Sequence, residues 1–186
     1  VADLSHGVCY ANYTAHGSTT DWCDPNITQA NVNSLTNYGK YPLVVGNCCL
    51  TSSYEIAECF AETWLRAAGK GAIGYIGGSN WTYWDEDYWW GVGYRASVVV
   101  NPTYDAAHIG AYDGVFHDHG EPSSKWYVTN DALVFCGNLA VTESGSSRIT
   151  YYWTIYNLMG DPSLSCYMGV PPVNPVPADG ETDVPT

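Results

Sequence analysis

His16 and Cys49 are the two side chains of this 186-residue sequence best placed to do chemistry. Each comes at the end of a segment that predicts a strand, over residues 7–15 and 41–46 respectively. The two positions are 33 residues apart, about the length of one βαβ unit, so parallel strands would bring both to the same rim of a sheet. An imidazole beside a thiol can remove its proton, and the thiolate is the nucleophile. The spacing therefore predicts a Cys–His nucleophilic site.

Two neighbouring features favour the same chemistry. Gly17 directly follows His16, and glycine lets the backbone approach a reacting carbonyl group closely. The N–H groups of Gly17 and Cys49 are therefore predicted to form an oxyanion hole. A helix that begins at Ser52 or Ser53 would also direct its positive N-terminal end toward the thiolate.

The elements that must position these residues predict an α/β fold. A third apolar run at 70–77 indicates another buried strand, and helices are predicted over 27–37 and 52–69. The second helix is predicted from a capping box formed by Ser52 and Glu55. Strands that alternate with helices pair in parallel through right-handed crossovers. We therefore expect a mostly parallel sheet flanked by helices.

The second half of the sequence is less regular. Residues 79–90, rich in Trp, Tyr and acidic side chains, predict a long loop, and residues 97–100 predict an extended segment. Three further helices are predicted over 104–119, 126–141 and 149–158.

Composition excludes several classes of protein. With 46% apolar and only 13% charged residues, the chain is too hydrophobic for a disordered protein. The formal net charge of -13 repels phosphate groups, so no nucleic-acid partner is expected. No apolar stretch approaches the roughly 18 residues of a membrane span. Seven cysteines indicate an oxidising compartment, and if six of them pair as disulfides, one thiol remains free.

Four blocks of the sequence resemble the gingipain family of cysteine peptidases. The blocks are residues 13–18 (YTAHGS), 41–49 (YPLVVGNCC), 59–62 (CFAE) and 159–164 (MGDPSL). Members of this family are secreted bacterial enzymes with a caspase-like fold, and the resemblance extends over about residues 7–170. By position it implies that His16 is the catalytic histidine and Cys49 the nucleophile, with Cys48 at the position before it.

The resemblance also implies that part of the peptidase domain lies outside this sequence. In the family, an acidic residue orients the imidazole, and it lies further upstream than the 15 residues that precede His16 allow. We therefore expect residues 1–170 to be the C-terminal part of the domain, incomplete at its N-terminus. The missing N-terminal half, or other copies, would be partners as separate chains. Residues 171–186, proline-rich and then polar, predict a linker into a further extracellular module.

The acidic aromatic segment that follows the third strand would line the same rim of the sheet. Gingipain-like enzymes select a basic side chain with an acid in such a pocket. The resemblance thus implies a substrate pocket with Trp81, Thr82, Asp85 and Asp87, and cleavage after basic residues. As alternatives, the carboxylates form a solvated turn or bind calcium as a structural ion. No cofactor is required for the predicted chemistry, and no catalytic metal site is predicted.

Two functions remain open at this point. The first is a secreted or cell-surface bacterial endopeptidase that cleaves protein or peptide substrates through a Cys49 thiolate. The second is a catalytically silent, peptidase-like extracellular subunit with a binding or structural role. A thiol at Cys49 beside His16 would favour the first function, and a disulfide at Cys49 would favour the second.

Overall fold

A four-stranded sheet forms the centre of the computed structural model, which describes residues 1–117, 119–122 and 126–165. In chain order the elements are α1 (Ala2–His6), β1 (Tyr10–Thr14), β2 (Asp21–Cys23), β3 (Asn26–Thr28), α2 (Gln29–Asn33), β4 (Leu43–Asn47), α3 (Phe60–Arg66), β5 (Gly74–Gly78), α4 (Trp84–Val92), α5 (Ala111–Val115), α6 (Asn130–Glu143), α7 (Ile149–Ile155) and β6 (Tyr156–Gly160). The strand order across the sheet is β1, β4, β5, β6, and β2 and β3 form a separate hairpin.

The sheet is mixed but mostly parallel. Strands β1, β4 and β5 run parallel to one another, and β6 pairs with β5 in the antiparallel direction. Every residue of β4 and β5 is buried, as expected for central strands that carry helices on both faces. The predicted α/β class, a mostly parallel sheet flanked by helices, is confirmed.

Alternate residues of β4 contribute to two hydrophobic cores, one on each face of the sheet. Leu43 and Val45 pack in the same cluster as Trp90 of α4. Val44 packs in the opposite cluster with Trp64 of α3. Burial of side chains of this size contributes roughly 1.5–3 kcal/mol each. The two helical layers thus hold the carboxyl ends of β1 and β4 side by side.

The helix predicted from residue 52 begins only at Phe60. Ser52 is fully buried, and its N–H donates to a carbonyl oxygen at the end of β5 at 3.0 Å, so the backbone there is held by the sheet. Helix α3 uses another capping box, in which the carboxylate of Glu62 accepts the N–H of Cys59 at 2.8 Å. The prediction of a helix N-terminus at residues 52–53, beside Cys49, is therefore wrong.

Segment 79–90 was expected to be a loop, and this prediction is also wrong because α4 occupies most of it. Three acidic residues, Asp85, Glu86 and Asp87, lie in the first turn of α4. Negative side chains at that position are favourable because they face the positive end of the helix dipole.

Other element boundaries differ more modestly. The helix expected over 27–37 is the short α2, preceded by strand β3, and residues 97–100 form no strand. The helix expected over 104–119 is confined to α5, whereas that over 126–141 closely matches α6. The last predicted helix, 149–158, ends at Ile155, and the chain continues directly as β6. Of the helices in the described part of the chain, none combines the length and apolar character needed to cross a membrane.

The expected disulfides are not seen between any two of the described cysteines. The side chains of Cys23, Cys48, Cys49 and Cys59 are among those that carry thiols. Cys166 and the expected linker, 171–186, lie outside the described residues.

Candidate functional site

His16 lies just beyond β1, where the chain turns into the β2–β3 hairpin. Its carbonyl oxygen accepts hydrogen bonds from the hydroxyl of Tyr13 at 2.7 Å and from the N–H of Cys23 at 2.9 Å. The exposed imidazole meets the ring of Trp84 edge to face, with 5.2 Å between the ring centroids. These contacts anchor the backbone and one side of the imidazole at the end of β1.

Cys49 lies in a tight turn directly after β4. The N–H of Cys48 donates to the carbonyl oxygen of Gly46 at 2.8 Å, and Leu50 has a φ of 65°. The left-handed conformation destabilises a residue with a Cβ by roughly 1–2 kcal/mol. A hydrogen bond from the Leu50 N–H to the carbonyl oxygen of Asn80, at 3.1 Å, helps to hold the turn. The turn leaves Cys49 half-buried at the end of the sheet.

The two adjacent cysteines have different surroundings. Cys48 is fully buried, and burial raises the pKa of its thiol far above the ordinary value. A thiol of this kind stays protonated and inaccessible to a substrate. Cys49 is half-buried and lines an open cavity. Exposure thus favours Cys49 over Cys48 as the candidate nucleophile.

The cavity brings most of the predicted site residues together. Its volume is about 200 Å³. The lining residues are Ala15, His16, Cys49, Trp81, Thr82, Trp84 and Asp87. Of the predicted pocket residues, Asp85 is the exception, because it is exposed and does not line this cavity. A base, a thiol and a buried carboxylate thus share one opening at the carboxyl ends of the parallel strands.

The N–H groups of both predicted oxyanion donors have no acceptor among the described residues. Gly17 lies opposite Trp22 in an isolated antiparallel bridge. The two hydrogen bonds of this bridge, each 2.9 Å long, are made by the residues on either side of this pair and not by Gly17 itself. The N–H of a residue paired in this way points away from the opposite strand. Among the residues that the structure describes, no acceptor bonds to the N–H of Gly17 or of Cys49.

Glycine is required at position 17 by close packing. A Cβ at this position would lie 2.7 Å from the sulfur of Cys48 and 2.8 Å from the carbonyl oxygen of Cys49. Both distances are shorter than contacts that real Cβ atoms make. The backbone that follows His16 can therefore pack against the Cys48–Cys49 turn only if position 17 carries no side chain.

Thr82 contacts the sulfur of Cys49 and the carboxylate of Asp87. Its backbone N–H donates to the Cys49 Sγ at 3.2 Å, and its Oγ1 lies 3.6 Å from the same sulfur. The Thr82 hydroxyl donates to Oδ2 of Asp87 at 2.6 Å. One threonine thus touches both the candidate nucleophile and the buried carboxylate.

Asp87 is buried and held by several donors. Oδ1 accepts hydrogen bonds from the hydroxyls of Tyr152 at 2.9 Å and Tyr156 at 2.8 Å, while Oδ2 accepts from Thr82. Burial raises the pKa of Asp87 from 3.8 to about 6, and the three hydroxyl donors oppose this rise because they stabilise the carboxylate. Above about pH 6 the cavity therefore carries a buried negative charge.

The three acidic side chains at the start of α4 point to different surroundings. Asp85 is exposed, Glu86 is buried and pairs with Arg148 at 3.2 Å, and Asp87 faces the cavity. Within the described ranges, no group of three or more His, Cys, Asp or Glu side chains is arranged to hold a metal ion.

Sequence reasoning missed several residues of the site. Trp84 contacts His16, and Tyr152 and Tyr156 hold Asp87 from α7 and β6. The many aromatic residues of segment 79–90 were a sequence signal that could have identified Trp84 as part of the site. The two tyrosines are more than 60 residues from Asp87 in the chain, and no local pattern connects them with it.

An acid that would orient His16 is not seen in the described part of the chain, where no carboxylate forms a hydrogen bond with the imidazole. The described residues therefore include the candidate base and nucleophile without a third member.

Comparisons with known proteins identify the family of the chain. Residues 1–167 match the model of peptidase family C25. The chain is 42% identical over 178 residues to Lys-gingipain of Porphyromonas gingivalis, an alignment that covers 92% of this chain and 10% of that protein. It is 35% identical over 66 residues to gingipain R2 of the same species, covering 35% of this chain and 9% of that protein. The chain thus spans about a tenth of the length of Lys-gingipain.

Solved structures resemble this fold. A structure described as a protease has a TM-score of 0.80 and 40% identity, over 88% of this chain and 36% of that one. The crystal structure of the Arg-specific cysteine proteinase gingipain R has a TM-score of 0.69 and 21% identity, over 88% of this chain and 34% of that one. With the match over residues 1–167, these findings show that the chain belongs to peptidase family C25, the gingipain family of cysteine peptidases.

Proposed function

We propose that this chain supplies the base and the nucleophile of a secreted bacterial cysteine endopeptidase that cleaves after basic residues. The observation that carries the proposal is the single cavity lined by His16, Cys49 and Asp87. The half-buried Cys49 thiol, which is not in a disulfide, favours this function over a catalytically silent subunit.

The proposed reaction begins with transfer of the Cys49 proton to His16. The thiolate attacks the carbonyl carbon of the scissile bond, and the N–H groups of Gly17 and Cys49 stabilise the oxyanion. The imidazolium of His16 then donates its proton to the leaving amine, and a thioester remains on Cys49. Water hydrolyses this thioester, so the second product is a carboxylate and the thiol is restored.

A preference for basic side chains rests on Asp87. Its carboxylate is buried, lines the cavity and is the acidic group of the predicted pocket that reaches it. A lysine or arginine side chain would pair with this charge, while the rings of Trp81 and Trp84 contact its methylene groups. The net charge of -13 would also attract cationic peptides. The relatives named above include one called Lys-gingipain and one described as Arg-specific.

The acid that orients His16 would come from a polypeptide segment upstream of Val1, within the same precursor or as a separate chain. The short coverage of Lys-gingipain and of both solved structures supports this part of the proposal. The chain alone would then hold a reactive thiol but turn over slowly, because the imidazole lacks its orienting partner.

Active-site labelling tests the proposal without the need for turnover. The chain is treated with two peptidyl acyloxymethyl ketones, one with lysine and one with norleucine next to the reactive ketone, and adducts are measured by intact mass and peptide mapping. We expect an adduct at Cys49 that forms about tenfold or more faster with the lysine probe, the effect of one hydrogen-bonded charge pair.

Two variants serve as controls for the labelling. Cys49→Ala should give no adduct, and Asp87→Asn should react with both probes at similar rates. An adduct that persists in Cys49→Ala would contradict the assignment of the nucleophile. Equal rates with both probes in the unaltered chain would contradict the preference for basic residues.

A further inference from the structure

Thr82 forms the direct connection between the buried carboxylate and the sulfur. Its hydroxyl lies 2.6 Å from Oδ2 of Asp87 and 3.6 Å from the Sγ of Cys49. From this geometry we infer that Thr82 is a positioning residue that couples the two, so that a basic side chain bound at Asp87 increases the reactivity of Cys49. The inference rests on the proposed function and adds substrate-dependent activation to it.

The direction of the coupling follows from the single proton of the threonine hydroxyl. An ionised carboxylate only accepts hydrogen bonds, so the hydroxyl proton of Thr82 must point to Asp87, as the 2.6 Å contact shows. The threonine oxygen then presents only lone pairs to Cys49. A Cys49 thiol can donate its S–H to Oγ1 at 3.6 Å or to the Thr82 carbonyl oxygen at 3.7 Å, whereas a thiolate would receive no hydrogen bond from this hydroxyl.

A bound cation changes this balance. An ammonium or guanidinium group that donates to Oδ2 competes with the Thr82 hydroxyl, and it also neutralises the nearby negative charge. The hydroxyl is then free to rotate and donate to the sulfur, where the Thr82 N–H already donates at 3.2 Å. The thiol proton passes to His16, which gives a thiolate with two donors and an imidazolium.

The contacts of Asp87 explain why a bound cation would influence Cys49 through Thr82. Oδ1 is occupied by the hydroxyls of Tyr152 and Tyr156, and both phenols are held in the interior, with Tyr156 also bonded to Asn47. Oδ2 accepts the hydrogen bond of Thr82, and Thr82 and Asp87 both line the cavity. A cation in the cavity therefore meets the oxygen that Thr82 shares.

The test compares alkylation of Cys49 with and without a cation in the complete 186-residue chain. Iodoacetamide labelling at pH 7 is followed by mass spectrometry with butylammonium or, as the neutral control, butanol. Binding of each compound is measured separately from tryptophan fluorescence, because Trp81 and Trp84 line the cavity. In the unaltered chain, butylammonium should accelerate labelling about tenfold, the effect of one hydrogen bond to a charged group.

Two variants separate coupling from a purely structural role. Thr82→Val removes the hydroxyl but keeps the backbone N–H, and it should bind butylammonium without acceleration of labelling. Thr82→Ser restores the hydroxyl and should restore the acceleration. Equal acceleration in Thr82→Val, or binding without acceleration in the unaltered chain, would overturn the coupling and leave the proposed function standing. Failure of butylammonium to bind at all would overturn the basic-residue preference and, with it, the coupling.

Discussion

Burial of Asp87 makes the stability of this fold depend on pH in a direction opposite to that of most carboxylates. The pKa of this side chain rises from 3.8 to about 6 in the folded protein, because burial outweighs its three hydroxyl donors. The folded state therefore holds the proton more tightly than the unfolded chain. Between about pH 4 and pH 6 the folded state binds more protons, so the free energy of unfolding falls as the pH rises.

The magnitude follows from the same shift. At about 1.4 kcal/mol per pH unit, a rise from 3.8 to about 6 corresponds to about 3 kcal/mol. This contribution is complete below about pH 4, where both states are protonated, and it is lost above about pH 6, where both are ionised. An asparagine at this position does not titrate, so Asp87→Asn provides the reference.

Urea unfolding of both proteins, followed by tryptophan fluorescence from pH 4 to 7, measures the effect. The difference in unfolding free energy, unaltered chain minus Asp87→Asn, should fall by about 3 kcal/mol across this range. Subtraction removes the contributions of the other carboxylates, which titrate in both proteins. A difference that stays constant with pH, or that increases, would refute the reasoning about the burial of Asp87.

Two further predictions concern the elements that position the site. Gly17→Ala should destabilise the fold by about 1–3 kcal/mol in urea unfolding, because the new Cβ would lie 2.8 Å from the carbonyl oxygen of Cys49; unchanged stability and unchanged labelling of Cys49 would contradict this. Glu62→Ala should lower stability by about 1 kcal/mol through loss of the 2.8 Å cap at the start of α3, whereas Glu62→Gln should retain most of it. Equal losses in both variants would show that the cap is not the cause.

The sheet and the proximity of His16 and Cys49 were predictable from sequence. The apolar runs that contain β4 and β5 are short and bounded by turn residues, a pattern typical of buried parallel strands. Once β1 and β4 are parallel neighbours, residues that follow them must lie at one rim, which places His16 and Cys49 together. The family resemblance added the caspase-like fold and the roles that we propose for these residues.

The elements that sequence reasoning missed depend on non-local contacts. Ser52 and Glu55 have the spacing of a capping box, but the end of β5 binds the Ser52 backbone instead. Residues 156–158 continue a helical pattern in the sequence, but their pairing with β5 makes them part of a strand. A short apolar run fits the periodicity of a helix and that of a strand equally well. Asp85 and Asp87 are equivalent acids in the sequence, and only the orientation of α4 separates the exposed one from the buried one.

Selective alkylation of thiols tests the central claim most directly. The native chain is treated briefly with iodoacetamide near neutral pH without reductant, and the labelled cysteines are identified by peptide mapping, with the exposed Cys23 thiol as an internal reference. The account predicts that Cys49 reacts fastest, that buried Cys48 stays unlabelled, and that His16→Ala slows labelling of Cys49 about tenfold while Cys23 is unaffected. Labelling of Cys49 that is no faster than that of Cys23, or that is unchanged in His16→Ala, would contradict a histidine-activated nucleophile.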